Sequence, residues 1–482
     1  MKNNFLKRLE KVIPGGAHTY SKGKDQVSKN FPSILKKGLG AYVFDSSNNK
    51  FLDYGMGLRS VGIGYGNKKI LKAAFNQAKL GNNLSKPSYI ELESAEEMIK
   101  LIDSAEMIKF AKNGSSVVTA AVKLARAYTN KKIVLVCKEH PFFSYDDWFI
   151  GSTVIKKGIP NDIYNLTKTF NYNDLASIKK LVKKYHNQIA CLILEPCTNI
   201  CPKIEKKLEP CCNQNPCNRD YRSANHFLKE VQKICRREGI VFILDEMITG
   251  FRRHLKGAQY EFGLDPDLST FGKAMANGFS LAALVGKKKI MSQGSINEDK
   301  KERVFLLSTT HGAEMSSLGA FSKNLELYKK YKVIKKIWSY GLELIEKSNI
   351  IAEELQIKDF FKFVGPAYSP NYICLDRRKK PSLDYRTLFI QELVKNGVLM
   401  NYVSISHSHS KKDLLFTLSA IKKSLKIYSQ ALKYGVNRYL VGKSIKPVFR
   451  RYNWKKIIFI GGSIIIGSSL INNKNIQKFI IV

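Results

Sequence analysis

A lysine in an unusual setting is the first residue of this chain that could do chemistry. Lys273 lies in the small, apolar, Gly-bounded segment Ser269–Gly278, whereas most of the other lysines are expected on solvated surface. A desolvated lysine has a depressed pKa and becomes a nucleophile that forms Schiff bases with carbonyl compounds. The alternative is an ordinary surface lysine that precedes a strand, and spacing alone leaves both interpretations open.

An acidic pair, Asp245 and Glu246, directly follows the apolar run Ile240–Leu244, which predicts a strand. Ligands of open α/β sheets bind beyond the carboxyl ends of the strands. A carboxylate at such an end is suited to pairing with a cationic ring nitrogen, where each charge stabilises the other. The alternative is an acid that only caps the next turn.

A small-residue turn, Gly114-Ser115-Ser116, separates a predicted strand, Met107–Ala111, from a predicted helix, Val117–Thr129. The free N–H groups and the dipole of a helix N-terminus favour a phosphate there. The same residues also serve as an ordinary turn and N-cap. Taken together, the lysine, the strand-end acid and this turn fit one cofactor, pyridoxal 5'-phosphate, which needs a Schiff-base lysine, an acid at its ring nitrogen and a phosphate cup.

Short apolar runs alternate with helical patterns along the chain. This alternation predicts a mostly parallel α/β sheet, whose strands and helices would position the candidate residues. The predicted strands are Met107–Ala111, Ile133–Cys137, Ile189–Leu194, Ile240–Leu244 and Leu281–Val285. Helical spacing of apolar residues marks Val117–Thr129, Ala224–Glu238 and Lys411–Tyr434.

The two ends of the chain have a different pattern of predicted elements from its centre. Two alternating runs around an Asn/Ser-rich turn predict a hairpin before residue 55. We therefore expect a large sheet domain over residues 81–324 and a smaller α+β domain built from both chain ends, residues 1–80 and 325–435. A basic and apolar tail, residues 436–482, follows.

Seven stretches resemble the class-III, fold-type I pyridoxal-phosphate aminotransferases, in the branch that is similar to glutamate-1-semialdehyde aminomutase. They appear in family order as IPGGAHTYSKG (13–23), FLDYGMGLRS (51–60), FAKNGSSVVTAAVKLARAYT (110–129), ILEP (193–196), ILDEMITGFR (243–252), STFGKAMANGFSLAALVG (269–286) and STTHGAE (308–314). The resemblance spans roughly residues 10–435. It implies the fold-type I architecture and the cofactor pyridoxal 5'-phosphate, with no metal in the site.

The resemblance also implies roles for individual residues. Lys273 is the Schiff-base lysine and proton shuttle, and Asp245 holds the ring nitrogen protonated. The phosphate is held by Gly114, Ser115 and Ser116.

Further positions carry over from the same family pattern. Phe142 stands where the family stacks an aromatic residue on the ring. Thr310 stands where a threonine of the neighbouring subunit binds the phosphate, which implies a homodimer with shared active sites. Arg59 is a candidate for a substrate carboxylate or another anionic group, with a structural ion pair as the alternative. Tyr20 lies in a segment that lines the substrate mouth in relatives, and Glu195 ends another strand near the cofactor.

The implied activity is amino transfer between a small-molecule amine or amino acid and a carbonyl acceptor. The alternative is a glutamate-1-semialdehyde 2,1-aminomutase, which returns the amino group to a neighbouring carbon of the same molecule. Three departures favour the aminotransferase. Ser116 replaces an often acidic residue, Phe142-Phe143 replaces the more usual Tyr-His, and the STTHGAE segment (308–314) differs from the stretch expected of the aminomutase. A second alternative is a catalytically inactive relative that serves as a binding module.

The composition bounds location and partners. The chain has 482 residues and a formal net charge of +40, and residues 401–482 hold 15 Lys/Arg against a single acid. No basic run, RNA-binding aromatic signature or zinc-finger spacing accompanies that charge, so we expect no nucleic-acid partner. The charged N-terminal sequence predicts a cytoplasmic protein. The 15-residue apolar stretch 457–471 falls short of a bilayer span, which leaves peripheral membrane contact through the tail as an alternative to a packed tail.

Five cysteines cluster between the Glu195 strand and the next helix: Cys197, Cys201, Cys211, Cys212 and Cys217. Four thiolates suit tetrahedral zinc, although these spacings match no standard paired Cys-x2-Cys set. Free buried thiols and a redox-labile loop are the alternatives.

Overall fold

A seven-stranded sheet lies at the centre of the fold, in a computed structural model that describes residues 2–140, 142–197, 200–204, 221–297, 302–453, 458–460 and 463–465. The helices are α1 (Lys2–Val12), α2 (Met56–Arg59), α3 (Lys68–Ala78), α4 (Tyr89–Leu101), α5 (Gly114–Thr129), α6 (Asp147–Ile150), α7 (Asn161–Tyr164), α8 (Leu175–Lys184), α9 (Phe227–Arg237), α10 (Ala258–Glu261), α11 (Lys288–Met291), α12 (Met315–Lys330), α13 (Val333–Glu354), α14 (Leu383–Lys395) and α15 (Lys411–Tyr434). The strands are β1 (Leu35–Leu39), β2 (Tyr42–Asp45), β3 (Lys50–Asp53), β4 (Met107–Ala111), β5 (Ile133–Cys137), β6 (Thr167–Phe170), β7 (Ile189–Leu194), β8 (Val241–Asp245), β9 (Leu268–Phe271), β10 (Ala282–Gly286), β11 (Phe361–Val364), β12 (Asn371–Cys374), β13 (Val398–Leu399), β14 (Ile458–Ile460) and β15 (Ser463–Ile465).

The strand order of the large sheet is β4-β10-β9-β8-β7-β5-β6, and only β10 runs antiparallel to its neighbours. The mostly parallel α/β sheet predicted from the sequence is therefore confirmed. Three of the five predicted strands have the expected bounds, while β8 and β10 each begin and end one residue later than predicted. The helix predicted at 117–129 begins earlier, at Gly114, because Asn113 caps it.

Burial on both faces explains why the central strands are apolar throughout. Every residue of β5, β7, β8 and β10 is buried. One face packs against α8 and α9, and the other packs against α5. A parallel sheet covered by helices on both faces has no solvated side, so its strands do not alternate apolar with polar residues.

The smaller sheet joins the two ends of the chain. Its order is β1-β2-β3-β13, and the short strand β13 pairs in parallel with β3 through Val398 opposite Leu52 and Leu399 opposite Asp53. One apolar cluster extends from this sheet to α13, α14 and α15. The predicted division at residues 80, 324 and 435 stays a prediction.

The chain after α15 runs back toward the N-terminal segment as far as it is described. The Lys446 amide donates to the Asp25 carbonyl at 2.9 Å, and the Arg450 guanidinium forms an ion pair with the Asp25 carboxylate at 2.6 Å. Most of the apolar stretch 457–471 lies outside the described residues, so its proposed membrane contact stays a prediction. Among the helices of the described chain, none has the length and apolarity needed to cross a membrane.

Candidate active site

The carboxyl ends of four strands meet at one edge of the large sheet. There β4 leads into Gly114, β7 into Glu195, β8 ends at Asp245, and β9 leads into Lys273. Because these four strands point the same way, the residues that follow them gather along that edge, where open α/β sheets bind ligands. The fold thus brings together the lysine, the strand-end acid and the small-residue turn found in the sequence.

Lys273 opens a short 3-10 turn directly after β9 and Gly272. Its φ of +46° is left-handed, a conformation that costs a residue with a side chain about 1 kcal/mol. Burial lowers the pKa of Lys273, against the opposing effect of the nearby Glu195 and Asp245 carboxylates. The Lys273 Nζ makes no hydrogen bond or ion pair with any other described residue. A strained backbone thus holds an unpartnered, desolvated amine at the sheet edge.

Asp245 is only 2% exposed at the end of β8. Its Oδ1 accepts hydrogen bonds from the Met247 amide at 2.9 Å and from the Thr270 hydroxyl at 3.2 Å. The strand register sets the second contact, because Thr270 lies directly opposite Asp245 in β9. Burial raises the pKa of Asp245, and Lys273 and these two donors lower it in part. A cation at this carboxylate would relieve the cost of its desolvation.

The adjacent Glu246 binds the backbone of the segment that follows β8. Its buried carboxylate accepts from the Ala258 and Gln259 amides, each at 2.9 Å, and from the Thr249 hydroxyl. The structural role considered for the acidic pair, an acid that organises the following turn, therefore belongs to Glu246.

The turn before α5 has the geometry of an anion site. Asn113 is the N-cap, and its Oδ1 accepts from the Ser116 amide at 3.0 Å. The Ser115 hydroxyl oxygen accepts from the Tyr145 amide at 3.2 Å. The amides of Gly114 and Ser115 belong to the first helical turn, where no intrahelical acceptor exists. These donors and the helix dipole favour a phosphate at this end.

Met247 packs the turn against the lysine segment. A Cβ placed on Gly114 would lie 2.9 Å from the Met247 sulfur, and one placed on Gly272 would lie 2.7 Å from it. A Cβ at either position would displace the end of the Met247 side chain. Met247 thus packs against both the Gly114 turn and the segment that carries Lys273.

Arg59 reaches the site from the smaller sheet through a left-handed turn. The residues Met56 to Arg59 have φ values of +42°, +59°, +57° and +71°, and only Gly57 among them adopts such values at no cost. The buried Arg252 holds this turn, since its guanidinium donates to the Arg59 carbonyl at 2.8 Å. Burial lowers the pKa of Arg59, and its buried Nε has no hydrogen-bond partner. The Tyr402 ring lies 5.6 Å from the guanidinium.

Glu195 is buried at the end of β7, with its amide donating to His140 Nδ1 at 3.0 Å. Burial raises the pKa of Glu195 to about 8; Asp245 adds to the rise, and Lys273 and Arg59 oppose it. Burial also lowers the pKa of His140 to about 3, so this imidazole stays neutral and its Nδ1 accepts the hydrogen bond from the Glu195 amide.

Three predicted residues lie on the surface of the chain. Tyr20 is 80% exposed, and Phe142 is 48% exposed with its ring edge-to-face on Phe149 at 6.0 Å. Thr310 is exposed, and its carbonyl accepts from the Asn83 amide group at 2.8 Å. The single chain does not bury these three with Lys273, so their predicted roles stay predictions.

The residues at the sheet edge fit pyridoxal 5'-phosphate. The cofactor's aldehyde needs an unprotonated amine, which the desolvated Lys273 supplies. Its ring nitrogen needs a buried acid, which is Asp245, and its phosphate needs a helix N-terminus with small residues, which is the turn at Gly114. The unpartnered guanidinium edge of Arg59 remains for a further anionic group.

The sequence pattern of the class-III aminotransferases matches residues 24–200 and 220–430. The chain belongs to the class-III aminotransferase family. It is therefore a pyridoxal-phosphate-dependent enzyme of amino-group transfer that acts on small molecules, and the family, fold, cofactor and class of activity expected from the sequence are confirmed.

The relatives of this chain include enzymes named for different reactions. It is 29% identical over 457 residues to a glutamate-1-semialdehyde 2,1-aminomutase from Wigglesworthia glossinidia brevipalpis, covering 89% of this chain and 99% of the relative. It is 27% identical over 427 residues to a 3-aminobutyryl-CoA aminotransferase from Cloacimonas acidaminovorans, covering 88% and 96%. The solved FumI protein of Sphingopyxis sp. MTA144, in its pyridoxal-phosphate internal aldimine form, is similar in fold, with a TM-score of 0.76 and 22% identity over 90% of this chain and 97% of that one.

Several residues that position the site were not singled out from the sequence. Thr270 would follow from the strand register opposite Asp245. Arg252 gave one signal, an arginine inside the motif ILDEMITGFR, but its bond to the Arg59 carbonyl spans 193 positions. His140 and Met247 act through contacts that only the folded chain brings together.

Proposed function

We propose that Lys273 and Asp245 are the catalytic residues of this aminotransferase and that the turn at Gly114, Ser115 and Ser116 holds the cofactor phosphate. The observation that carries the proposal is the unpartnered, desolvated Lys273 amine on the same sheet edge as the buried Asp245 carboxylate. When bound, pyridoxal 5'-phosphate supplies the aldehyde that takes up the amino group and the ring that withdraws electrons from it.

The protein's own groups would then bind and move protons. Lys273 would hold the cofactor through its amine, and its neutral Nζ would take the proton from the substrate's Cα. The lowered pKa of that amine suits it to this role. Asp245 stays ionised beside the protonated ring nitrogen, and the Met247 and Thr270 donors hold its carboxylate in place.

Arg59 is the proposed binding group for an anionic part of the substrate. Its Nε is buried without a partner, and no described carboxylate forms an ion pair with it. A buried guanidinium N–H without a hydrogen-bond partner is costly, and a carboxylate or phosphate that Arg59 binds with two hydrogen bonds removes that cost. The alternative is a structural ion pair, for which the Glu195 carboxylate supplies the opposite charge. The proposed substrates are thus amines or carbonyl compounds that carry such a group.

Transfer between two molecules is favoured over the aminomutase reaction by Ser116 and by the Phe142-Phe143 pair, as in the sequence argument. The proposed assembly is a homodimer that shares its sites. It is supported by Thr310 and by large exposed apolar side chains on the same chain. These side chains are Leu80, Leu84, Tyr89, Phe142, Tyr145 and Phe305.

A cytoplasmic location is proposed as well. It is supported by buried cysteines that form no disulfide, Cys137, Cys191, Cys235 and Cys374, as expected in a reducing compartment.

A half-reaction screen tests this proposal. The purified holoenzyme is mixed with single candidate amines, and the change in cofactor absorption reports amino transfer. We expect amines with a carboxylate or phosphate to react, and Arg59→Met to raise their KM at least about 10-fold, the loss of one charge-assisted contact. Equal KM values for charged and uncharged amines in the wild type would contradict the role of Arg59.

A further inference from the structure

Two cysteines outside the proposed catalytic machinery lie unusually close together. The Sγ atoms of Cys197 and Cys201 are 2.7 Å apart, and the two side chains are 0% and 1% exposed. They follow Glu195 in the loop after β7. The amino-transfer chemistry described above uses neither thiol.

Side chains from separate elements hold the backbone of this loop. The Tyr172 hydroxyl donates to the Pro196 carbonyl at 2.6 Å, and the Tyr368 hydroxyl donates to the Cys197 carbonyl. The Asn173 amide group donates to the Cys201 carbonyl at 3.0 Å. The two sulfurs are thus brought together by a fixed backbone on either side of them.

A cation lies beside the first thiol. The Arg253 guanidinium is buried, lies 3.6 Å from the Cys197 sulfur, and forms an ion pair with Glu261 at 2.8 Å. A neighbouring guanidinium stabilises a thiolate, which is the nucleophilic form of cysteine. Cys197 is therefore the thiol of the pair that is placed to react first.

The two sulfurs lie closer together than two thiolates that share a zinc ion. Two thiolates on one tetrahedral zinc lie about 3.8 Å apart, because each Zn–S bond is about 2.3 Å long. Among the described residues, no group of three metal-ligating side chains includes the pair. A covalent S–S bond of about 2.0 Å needs a movement of under about 1 Å from the observed separation. The zinc site suggested by the sequence, which also uses Cys211, Cys212 and Cys217, involves residues outside those described.

We propose that Cys197 and Cys201 are a redox-active dithiol that small peroxides convert reversibly to an intramolecular disulfide. The Cys197 thiolate attacks one oxygen of hydrogen peroxide, the O–O bond breaks, and the departing hydroxide takes up a proton to become water. The sulfur of Cys201 then displaces the hydroxyl from the resulting Cys197 sulfenic acid. The S–O bond breaks, and the hydroxyl leaves as water with the Cys201 proton. Two electrons pass from the two sulfurs to the peroxide.

Peptide mass analysis of the oxidised holoenzyme tests this proposal. Tryptic cleavage releases residues 185–203 as one peptide that carries Cys191, Cys197 and Cys201. After treatment with hydrogen peroxide, denaturation and alkylation, we expect this peptide to carry one alkyl group, on Cys191, instead of three. Dithiothreitol before alkylation restores all three. Cys191→Ala should still form the bond, whereas Cys201→Ala should not.

Three results would overturn the proposal. The first is a peptide that keeps all three alkyl groups after peroxide treatment. The second is a disulfide from either residue to Cys211, Cys212 or Cys217. The third is zinc that protects the pair until a chelator removes it. The order of attack has its own test: a cyclic 1,3-diketone should label the sulfenic acid of Cys197 in Cys201→Ala. Labelling of Cys201 in Cys197→Ala at the same rate would contradict the role given to Arg253.

Discussion

At the scale of single residues, burial is the largest cause of the pKa shifts in the candidate site. It lowers the pKa of Lys273 and raises the pKa of Asp245 and Glu195, so each group is shifted toward its neutral form. A cofactor with a cationic ring nitrogen reverses this cost at Asp245, because a charge pair replaces an isolated buried carboxylate. The ionised Asp245 carboxylate is therefore less stable in the cofactor-free site than beside a cationic ring nitrogen.

Asp245→Asn tests the pairing with the ring nitrogen. Asparagine keeps the shape but removes the charge, so we expect the rate of amino transfer to fall about 100-fold, or ~2.7 kcal/mol in the barrier. The measurement is the single-turnover rate with saturating amine. Asp265→Asn is the matched control, since Asp265 forms only surface ion pairs and its side chain is 51% exposed. An unchanged rate in Asp245→Asn would remove this acid from the mechanism.

Glu195 gives a pH prediction for the enzyme without cofactor. Burial raises its pKa from an ordinary 4.5 to about 8, so between those values the folded state binds a proton that the unfolded state has lost. This contribution to stability is complete below pH 4.5 and is lost as the pH rises to about 8.

Thermal unfolding at pH 5 and pH 8 measures this effect. The wild-type melting temperature should fall toward pH 8 by more than that of Glu195→Gln, which cannot ionise. The exposed Glu353→Gln serves as the control and should behave as wild type. Parallel pH profiles for wild type and Glu195→Gln would show that Glu195 is ionised at neutral pH.

At the scale of elements, the start of α5 combines stability with binding. The Asn113 cap satisfies the Ser116 amide and orients the turn that is proposed to hold the phosphate. Asp174 caps α8 in the same manner, through the Ser177 amide at 3.0 Å, far from the sheet edge in sequence. In both caps a side-chain oxygen accepts from the backbone amide three residues later.

Asn113→Ala and Asp174→Ala separate these two roles. Each change should lower the free energy of unfolding by about 1 kcal/mol, the usual cost of a lost N-cap. Only Asn113→Ala should also weaken binding of pyridoxal 5'-phosphate, measured by titrating the cofactor-free enzyme. Equal cofactor affinities in the two variants would show that the α5 turn does not hold the phosphate.

The same elements show how far the sequence alone goes. Apolar runs locate β5 and β7 correctly because parallel strands that are buried on both faces are composed of apolar residues. The edge strand β4 is only partly buried, and its apolar run is interrupted by Lys109. Lys273, Asp245 and the Gly114 turn follow from strand ends, which are local in sequence. The left-handed turn that carries Arg59 does not, because Leu58 and Arg59 adopt positive φ only where the distant Arg252 holds their backbone.

At the scale of the whole molecule, the position of Thr310 bears on whether two copies of the chain share their active sites. Thr310 is exposed on the single chain, whereas Lys273 is half-buried at the edge of the large sheet. If Thr310 binds the phosphate, it belongs to the site of the second copy, and each site of the dimer uses residues from both chains.

Co-expression of Lys273→Ala and Thr310→Ala chains tests this sharing. A mixed dimer then contains one intact site, built from the Lys273 of one chain and the Thr310 of the other. We expect about a quarter of wild-type activity, since half of the dimers are mixed and each has one intact site of two. The control co-expresses Lys273→Ala chains with Thr309→Ala chains. No recovery above the two separate variants would place Thr310 in its own chain's site or outside any site.

The covalent attachment point of the cofactor tests the central claim most directly. Borohydride converts a lysine–aldehyde linkage into a stable amine, so reduction of the purified holoenzyme followed by peptide mapping identifies the lysine that holds pyridoxal 5'-phosphate. We predict a single modified residue, Lys273, and no modified peptide from Lys273→Ala. A cofactor fixed to another lysine, or one that washes away unmodified from the wild type, would contradict this account.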